Sequence, residues 1–379
     1  MKLYRCKFED IHVRFANNQI VCYGSGNWLN DALEVSGCYS LLDRIDYFVD
    51  RNPSLWNTKK KILKSTFEIK SPSFFFEEVS DETLILVTAG SVAAIEIAIS
   101  LLSNKRLSDN SAMIVGFICL QISNMSRERS VVYPPKSYKM NENMAIPKKL
   151  HYCWFGGSSL PESNKNCIDS WKKYCPEYEI IEWNEENYDY LKHHYMREAY
   201  SASKWAYVTD YARLDIIYRY GGIYFDTDVE LVKPLDELLY NSSFCGFQDL
   251  YLCAFGLVLG GAKHNKMIKD MRDMYDDMHF INEDGELNMI PCPFIQTRYL
   301  VANGLIQNGG FQVINSMAVY PTEYFNPYNS LTYLPELTEN TYSIHHFDAS
   351  WHATKEQVNK NNYIQFCRDY MKNSVCISE

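Results

Sequence analysis

A chain of 379 residues with 46% hydrophobic and 22% charged residues has room for two globular domains and is too apolar to be disordered. Its formal net charge of −10 argues against nucleic acid as the main partner. The twelve cysteines lack zinc-type spacing, and no apolar run reaches the about 18 residues that a membrane helix needs. With no signal peptide visible in the opening residues, these features predict a cytoplasmic protein.

The pattern in residues 1–122 predicts a small Rossmann-like α/β domain, because short apolar strands alternate with helical segments in the order of a doubly wound sheet. The predicted strands are Gln19–Tyr23, Ile45–Val49, Thr83–Thr88 and Met113–Leu120. The helical segments run from the first glycine turn to Leu42 and from Val92 to Leu102.

The glycine turn Gly24-Ser25-Gly26 follows the first of these strands, where it could cradle a phosphate at a helix N-terminus. The third glycine position of a dinucleotide fingerprint holds Leu29 instead. Asp50, at the end of the second strand, could contact a ribose or close a strand-end turn. A dinucleotide-binding domain and a purely structural one both remain open, and the missing glycine favours the structural one.

Residues 123–145 are polar and contain Pro134-Pro135, and this composition predicts a linker. A second domain is predicted over residues 146–379. It opens with a strand that runs into Gly156-Gly157, continues with a strand at Tyr178–Trp183, and includes a helix from about Ala202 to Tyr220 that ends at Gly221.

Two carboxylates, Asp226 and Asp228, follow an apolar and aromatic run after the Gly221-Gly222 pair. In an extended strand they would point to the same side and repel each other unless a cation lay between them. Mg²⁺ and Mn²⁺ prefer oxygen ligands of this kind and often hold the phosphates of a nucleotide as well. An isolated Asp-x-Asp is also typical of a solvated turn, so the choice between a metal site and a turn depends on the neighbouring residues.

Two further groups of polar residues stand out. Asp210 and Arg213 share one face of the predicted helix, which fits either a site or a surface salt bridge. The segment His345–Trp351 places imidazole, hydroxyl and indole groups close together, and a neutral imidazole can complete a divalent metal shell. A buried histidine pair at a turn is the alternative for that segment.

Four motifs occur in a fixed order along the second domain. They are Ile146-Pro147-Lys148…His151…Trp154…Gly156, Thr209-Asp210…Arg213, Gly221–Asp228 and His345…Ser350-Trp351. In order and separation the set resembles glycosyltransferase family 32 over about residues 146–355. Yeast mannosyltransferases, bacterial capsule-type transferases and glucosylating toxins are similar to that family.

The resemblance implies an α/β fold of the GT-A type around a mixed sheet, with the Asp-x-Asp on a loop at a strand end, and a role for each motif residue. Trp154 would stack on the nucleotide base, and His151, Gly156 and Tyr224 would belong to the same donor site. Asp210 and Arg213 would hold the donor sugar.

Asp226 would contact ribose and metal, and Asp228 would be the main metal ligand. His346, or His345 in its place, would be a further metal ligand. Ser350 and Trp351 would bind the diphosphate.

The implied activity is that of a retaining hexosyltransferase that uses Mn²⁺ or Mg²⁺ and a UDP- or GDP-sugar donor. The acceptor would be a glycan or lipid-linked glycan in capsular, lipopolysaccharide or exopolysaccharide synthesis, with the protein in the cytoplasm or peripheral on the inner face of the membrane. The alternative is a nucleotide-sugar-binding scaffold that has lost catalysis. Cys253–Gly261 and Pro291–Thr297 would line the sugar or acceptor side, or else pack in the core.

Overall fold

The structure, a computed structural model, describes residues 1–108, 110–128, 131–249, 251–329, 334–347 and 365–377. It divides into two compact units. Of the described residues, 1–108, 110–127 and 365–377 form the first unit, and the others form the second. The predicted extent of the second domain to residue 379 is therefore wrong, because residues 365–377 belong to the first unit. The predicted linker also begins too early, since residues 123–128 continue a helix.

The first unit is an eight-stranded sheet in the order β17-β1-β7-β6-β2-β3-β5-β4. Its strands are β1 (Lys2–Arg5), β2 (Gln19–Tyr23), β3 (Ile45–Val49), β4 (Lys59–Ile62), β5 (Ser65–Lys70), β6 (Thr83–Val87), β7 (Ala112–Val115) and β17 (Val375–Cys376). Its helices are α1 (Ile11–Arg14), α2 (Trp28–Ser36), α3 (Pro72–Glu78), α4 (Ser91–Leu102), α5 (Gly116–Glu128) and a helix over 365–373.

The strand order reverses beside β2, because β3 and β5 extend the parallel sheet to one side and β6 and β7 extend it to the other. This doubly wound arrangement confirms the Rossmann-like prediction. At the turn after β2, Gly24 has φ +113°, and a Cβ there would lie 2.9 Å from the Thr88 carbonyl oxygen. The Asp50 carboxylate accepts hydrogen bonds from both the backbone N–H and the hydroxyl of Ser25, so it closes this turn.

The second unit is built on a seven-stranded mixed sheet in the order β14-β15-β12-β13-β10-β8-β9, with a separate β11–β16 pair. Its strands are β8 (Lys149–Cys153), β9 (Glu179–Trp183), β10 (Gly222–Tyr224), β11 (Val229–Leu231), β12 (Ser243–Gly246), β13 (Leu259–Gly261), β14 (Gln312–Ile314), β15 (Met317–Tyr320) and β16 (Ser343–His345). Its helices are α6 (Glu162–Tyr174), α7 (His194–Ser201), α8 (Trp205–Tyr220), α9 (Lys266–Asp273) and α10 (Cys292–Ala302).

Helix α8 leads directly into the central strand β10. All residues from Tyr207 to Ile217 are buried, so polar side chains on this helix must find partners inside the protein. The helix ends at Gly221, whose φ of +64° turns the chain into β10. Strand β10 lies between β13 and β8, and the Asp-Thr-Asp segment follows its end. The α/β class is therefore confirmed. Among the described residues, no helix combines the length and apolar character needed to cross a membrane.

Candidate donor-binding site

The centre of the site is the buried guanidinium of Arg213. Its Nη2 lies 3.2 Å from an Asp210 carboxylate oxygen and 3.5 Å from an Asp226 carboxylate oxygen. Its Nε and Nη2 also donate to the backbone carbonyl and the hydroxyl of Thr209. These contacts hold the guanidinium between two carboxylates, one on α8 and one at the end of β10. The predicted pairing of Asp210 with Arg213 is therefore a buried contact rather than a surface salt bridge.

Burial dominates the electrostatics of Asp210. Removal from water raises the pKa of this carboxyl group to about 6, although the neighbouring Arg213 lowers it. The Cys292 thiol, at the start of α10, lies near the same carboxyl group and also lowers its pKa. Asp210 is thus held between a cation from its own helix and a thiol from α10.

Asp226 and Asp228 flank a turn between β10 and β11, as the family resemblance implies, instead of lying on one side of an extended strand. The Val229 N–H donates to the Asp226 carbonyl, which closes this turn, and the Asp226 N–H donates to the Gly256 carbonyl. At its middle, the Thr227 hydroxyl accepts a hydrogen bond of 2.6 Å from the buried Asn164 side chain.

Tyr224 supports Asp226 from the last position of β10. Its hydroxyl donates to the Asp226 carboxylate at 3.0 Å, and the Arg213 guanidinium lies over its ring at 5.0 Å from the centroid. Tyr224 is itself buried. It therefore orients the two charged groups, as a residue beneath the donor site would.

Asp228 contacts His345, across the two-stranded β11–β16 sheet. The His345 Nε2 atom lies 3.0 Å from an Asp228 carboxylate oxygen, and this carboxylate raises the pKa of His345 although burial lowers it. The His346 backbone N–H donates to the Asp228 carbonyl, but its side chain has other partners, with Nε2 3.0 Å from a Glu230 carboxylate oxygen and Nδ1 3.1 Å from the Tyr328 hydroxyl. Of the two histidines considered, the structure places the side chain of His345 rather than that of His346 against the Asp228 carboxylate.

The side chains present suit a divalent cation in kind, since two carboxylates and one imidazole lie around the turn. Within the described ranges, however, no three histidine, cysteine or acidic side chains gather closely enough to hold a metal ion by themselves. A cation at Asp226 and Asp228, with His345 beside them, would need further oxygen ligands. Water and the phosphates of a nucleotide are such ligands.

His151 is not at the site, which corrects its predicted contact with the donor. It is fully buried, with Nε2 2.8 Å from the Gly221 carbonyl oxygen and Nδ1 accepting from the Trp183 indole at 3.1 Å. Burial lowers the pKa of His151 to about 4, so the ring is neutral at pH 7. Its role is to join β8, β9 and the end of α8.

The other predicted donor residues of the first motif are at the end of β8. Gly156 has φ +94°, and a Cβ there would lie 2.7 Å from the Trp205 indole. Trp154 is half-buried, and its indole N–H donates to the Ser158 carbonyl at 2.6 Å. Base stacking by Trp154 stays a prediction. Ser350 and Trp351 lie outside the described residues.

Two of the residues that the motifs missed come from segments named only in general terms. Gly256 and Cys292 lie in Cys253–Gly261 and Pro291–Thr297, which were predicted either to line the sugar side or to pack in the core. A Cβ at Gly256 would lie 2.1 Å from the Asp226 carboxylate, so only glycine allows this approach. Asn164 gave no sequence signal, because its partner Thr227 is 63 residues away.

Comparison with known proteins agrees with this geometry. Residues 161–245 match the family model described as a glycosyltransferase sugar-binding region containing a DXD motif. That span holds Asp210, Arg213 and the Asp-Thr-Asp turn. The resemblance to glycosyltransferases predicted from the motifs is confirmed for this part of the chain.

The similar curated proteins are themselves named as mannosyltransferases or as a protein that subverts eukaryotic traffic. Inositol phosphoceramide mannosyltransferase 3 of Schizosaccharomyces pombe is 33% identical over 121 residues, which cover 29% of this chain and 31% of that protein. Inositol phosphoceramide mannosyltransferase 1 of the same yeast is 30% identical, covering 26% and 33%. Subversion of eukaryotic traffic protein A of Legionella pneumophila is 23% identical, covering 37% and 27%. The chain thus spans about a third of the length of the curated relatives it matches.

Among solved structures, the PaToxG glycosyltransferase is 17% identical, and the likeness covers 56% of this chain and 79% of that chain with a TM-score of 0.33. This likeness does not define the fold.

Proposed function

We propose that the second unit is the GT-A catalytic domain of a metal-dependent, retaining glycosyltransferase. It moves a hexose from a UDP- or GDP-sugar to a glycan or lipid-linked glycan. The observation that carries the proposal is the cluster formed by the buried Asp210 and Arg213 with the partly exposed Asp226 at the end of β10, inside the span that matches the DXD family. A surface salt bridge would not require burial of Asp210 and Arg213 beside a glycine-lined turn.

The chemistry of the cluster suits cleavage of a sugar–phosphate bond. Breaking the anomeric C–O bond leaves negative charge on the departing diphosphate and positive charge on the sugar ring. Arg213 is prearranged by Thr209 and two carboxylates, so it can stabilise that diphosphate without reorganising. A divalent cation held by Asp226 and Asp228, with His345 beside them, would supply further positive charge to the diphosphate.

For retention of the anomeric configuration we propose attack on the same face from which the diphosphate leaves. The acceptor oxygen forms the new C–O bond as the old one breaks, and the acceptor proton passes to an oxygen of the leaving phosphate. This route needs no carboxylate nucleophile. Asp210 is instead free to accept hydrogen bonds from the sugar hydroxyls once it is ionised.

The acceptor class takes support from the names of two relatives, which are mannosyltransferases of a lipid, inositol phosphoceramide. A lipid-linked acceptor accords with those names, and peripheral attachment at the inner face of the membrane would bring such an acceptor within reach. Capsular, lipopolysaccharide or exopolysaccharide synthesis is the setting that the motifs favour.

The proposal is tested by hydrolysis of UDP- and GDP-sugars with and without Mn²⁺. Asp228→Asn should abolish Mn²⁺-dependent hydrolysis, because an amide binds a hard cation far more weakly than a carboxylate does. Glu230→Gln is the matched control: it is the next carboxylate along the chain, but it pairs with His346. Full activity of Asp228→Asn with Mn²⁺ would contradict the role of the cation.

A scaffold that binds nucleotide sugars without turnover is the alternative function. Calorimetry with UDP or GDP and Mn²⁺, followed by the hydrolysis panel, separates the two. Tight, metal-dependent binding with no turnover of any donor would favour the scaffold.

A further inference from the structure

Helix α10 presents one face to the site. Cys292 and Gln296 are four residues apart, so they lie on the same face of this helix. The Cys292 thiol lies near Asp210 and interacts with it electrostatically, and Gln296, one turn further on, is 2% exposed. The residue range of α10 lies outside the span that matches the family model.

The Gln296 amide is hydrogen-bonded to the chain segment that contains Gly256. Its Oε1 atom accepts a hydrogen bond of 3.0 Å from the Phe255 backbone N–H. The following residue, Gly256, is so close to the cluster that a Cβ there would lie 2.1 Å from the Asp226 carboxylate and 3.2 Å from Arg213 Nη1. Gln296 is thus hydrogen-bonded to Phe255, and the next residue, Gly256, lies against both Asp226 and Arg213.

Two buried N–H groups, Gln296 Nε2 and Arg213 Nη1, have no hydrogen-bond partner among the described residues. A buried donor without a partner is unfavourable, and in native proteins it calls for an explanation such as a ligand. The neighbouring side chain of Thr297 differs, because its hydroxyl already accepts from the Cys253 N–H at 2.9 Å. The amide of Gln296 is therefore anchored through Oε1, and its buried Nε2 has no partner among the described residues.

We infer that Gln296 determines donor specificity: its Nε2 donates a hydrogen bond to a hydroxyl oxygen of the donor hexose, while Arg213 Nη1 serves the diphosphate. The inference rests on the proposed function and names the sugar-recognising group of the same site. A neutral amide donor suits a hydroxyl oxygen, and a guanidinium suits a phosphate. A site that hydrogen-bonds a hydroxyl also rejects the sugar that lacks it, because the buried amide then stays unpaired.

The test measures kcat/KM for donor hydrolysis by the full chain. The donors are the best substrate among UDP-glucose, UDP-galactose, UDP-N-acetylglucosamine and GDP-mannose, and its mono-deoxy analogues. Gln296→Glu keeps an oxygen for the Phe255 N–H but removes the donor, and Gln296→Met removes both without adding charge. Thr297→Val is the matched control, because it removes the neighbouring anchor of the same segment.

The wild-type protein should disfavour one deoxy analogue by about tenfold or more. Both Gln296 variants should lose most of that preference, with the dissociation constant for the nucleoside diphosphate changed by no more than about threefold, while Thr297→Val keeps the preference. An active wild type whose preference survives both Gln296 substitutions overturns this inference alone. Loss of the preference in Thr297→Val also overturns it, since anchoring of the loop would then explain the effect. A wild type that hydrolyses no donor overturns the proposed function as well.

Discussion

At the scale of single residues, Arg213 organises the site because it is buried between two carboxylates that would otherwise repel each other. Its planar guanidinium divides its donors: Nε and Nη2 bind Thr209, and Nη2 also faces the two carboxylates. Nη1 has no partner among the described residues, so it can bind a ligand. A lysine could keep the charge but not this geometry.

Arg213→Lys should therefore lower kcat for donor hydrolysis by about 10²–10³-fold, the effect typical of losing one prearranged electrostatic group. Steady-state kinetics with the best nucleotide sugar measures it. Arg272→Lys provides the control, because Arg272 pairs with Asp215 and Asp273, away from the turn. Equal losses in both variants would refute a special role for Arg213.

Asp210 should impose a pH dependence on activity. Since burial raises its pKa to about 6, the carboxylate needed to accept from a sugar hydroxyl is lost as the pH falls below about 6. A profile of kcat/KM between about pH 4.5 and about pH 8 should fall on the acid side. The Asp210→Asn variant should have low activity, and its profile should lack this fall.

The contribution of Asp210 to the stability of the fold should change with pH in the opposite direction. Because the folded-state pKa lies above the ordinary value of 3.8, this group contributes stability below pH 3.8 that is lost as the pH rises through about 6.

At the scale of secondary-structure elements, the junction of α8 with β10 depends on close packing between two of the sequence motifs. A Cβ at Gly222 would lie 2.7 Å from His151 Nε2 and 2.8 Å from the Lys149 carbonyl oxygen. A Cβ at Gly221 would lie 2.9 Å from the Pro147 ring. The Gly221-Gly222 pair and the Pro147…His151 motif therefore act together to set the position of β10, and with it the turn that carries Asp226.

Gly222→Ala should destabilise the second unit by about 3 kcal/mol or more, because a positive φ and a backbone clash act together. Urea unfolding of the variant measures the loss. Gly157→Ala separates the two causes, since Gly157 also has a positive φ of +68° but nothing lies within 4 Å of the added Cβ. That control should lose only about 1–2 kcal/mol. Similar losses in the two variants would contradict the packing argument.

At the scale of the whole molecule, the chain forms two units that each have their own sheet and their own buried clusters. The C-terminal residues complete the first unit. Strand β17 pairs in parallel with β1, and the Arg5 guanidinium donates to the Ser374 carbonyl at 2.7 Å. The Val115 backbone N–H donates to the buried hydroxyl of Tyr370 at 3.1 Å.

Calorimetry should consequently resolve two unfolding transitions. Tyr370→Phe leaves the Val115 N–H without its acceptor, so it should lower the stability of one transition by about 1–3 kcal/mol. Gly222→Ala should lower the other. A single transition displaced by both substitutions would show that the units unfold together.

Much of the fold follows from local signals. The bounds of β2 and β3 agree with prediction because each is a short apolar run between turn residues. Helix α8 is found where its apolar positions recur at helical spacing and ends at Tyr220 as predicted, but it begins at Trp205 rather than at about Ala202. Met113–Leu120 was predicted as one strand but is β7 followed by the start of α5. An apolar run that would be buried either as a strand or as a helix shows no periodicity from which the point of change between the two could be predicted.

The order of the motifs determined the class of site, the glycosyltransferase resemblance and the importance of Asp210, Arg213, Asp226 and Asp228, since the types and spacing of these residues are written in the chain. Only the tertiary structure decided which histidine faces Asp228, that His151 is a packing residue, that Gly256 adjoins the cluster, and that Gln296 bonds to the residue before it. The physical reason is sequence separation. His345 and Asp228 are 117 residues apart and meet only through the pairing of β11 with β16, and contacts of that kind depend on the packing of the whole unit.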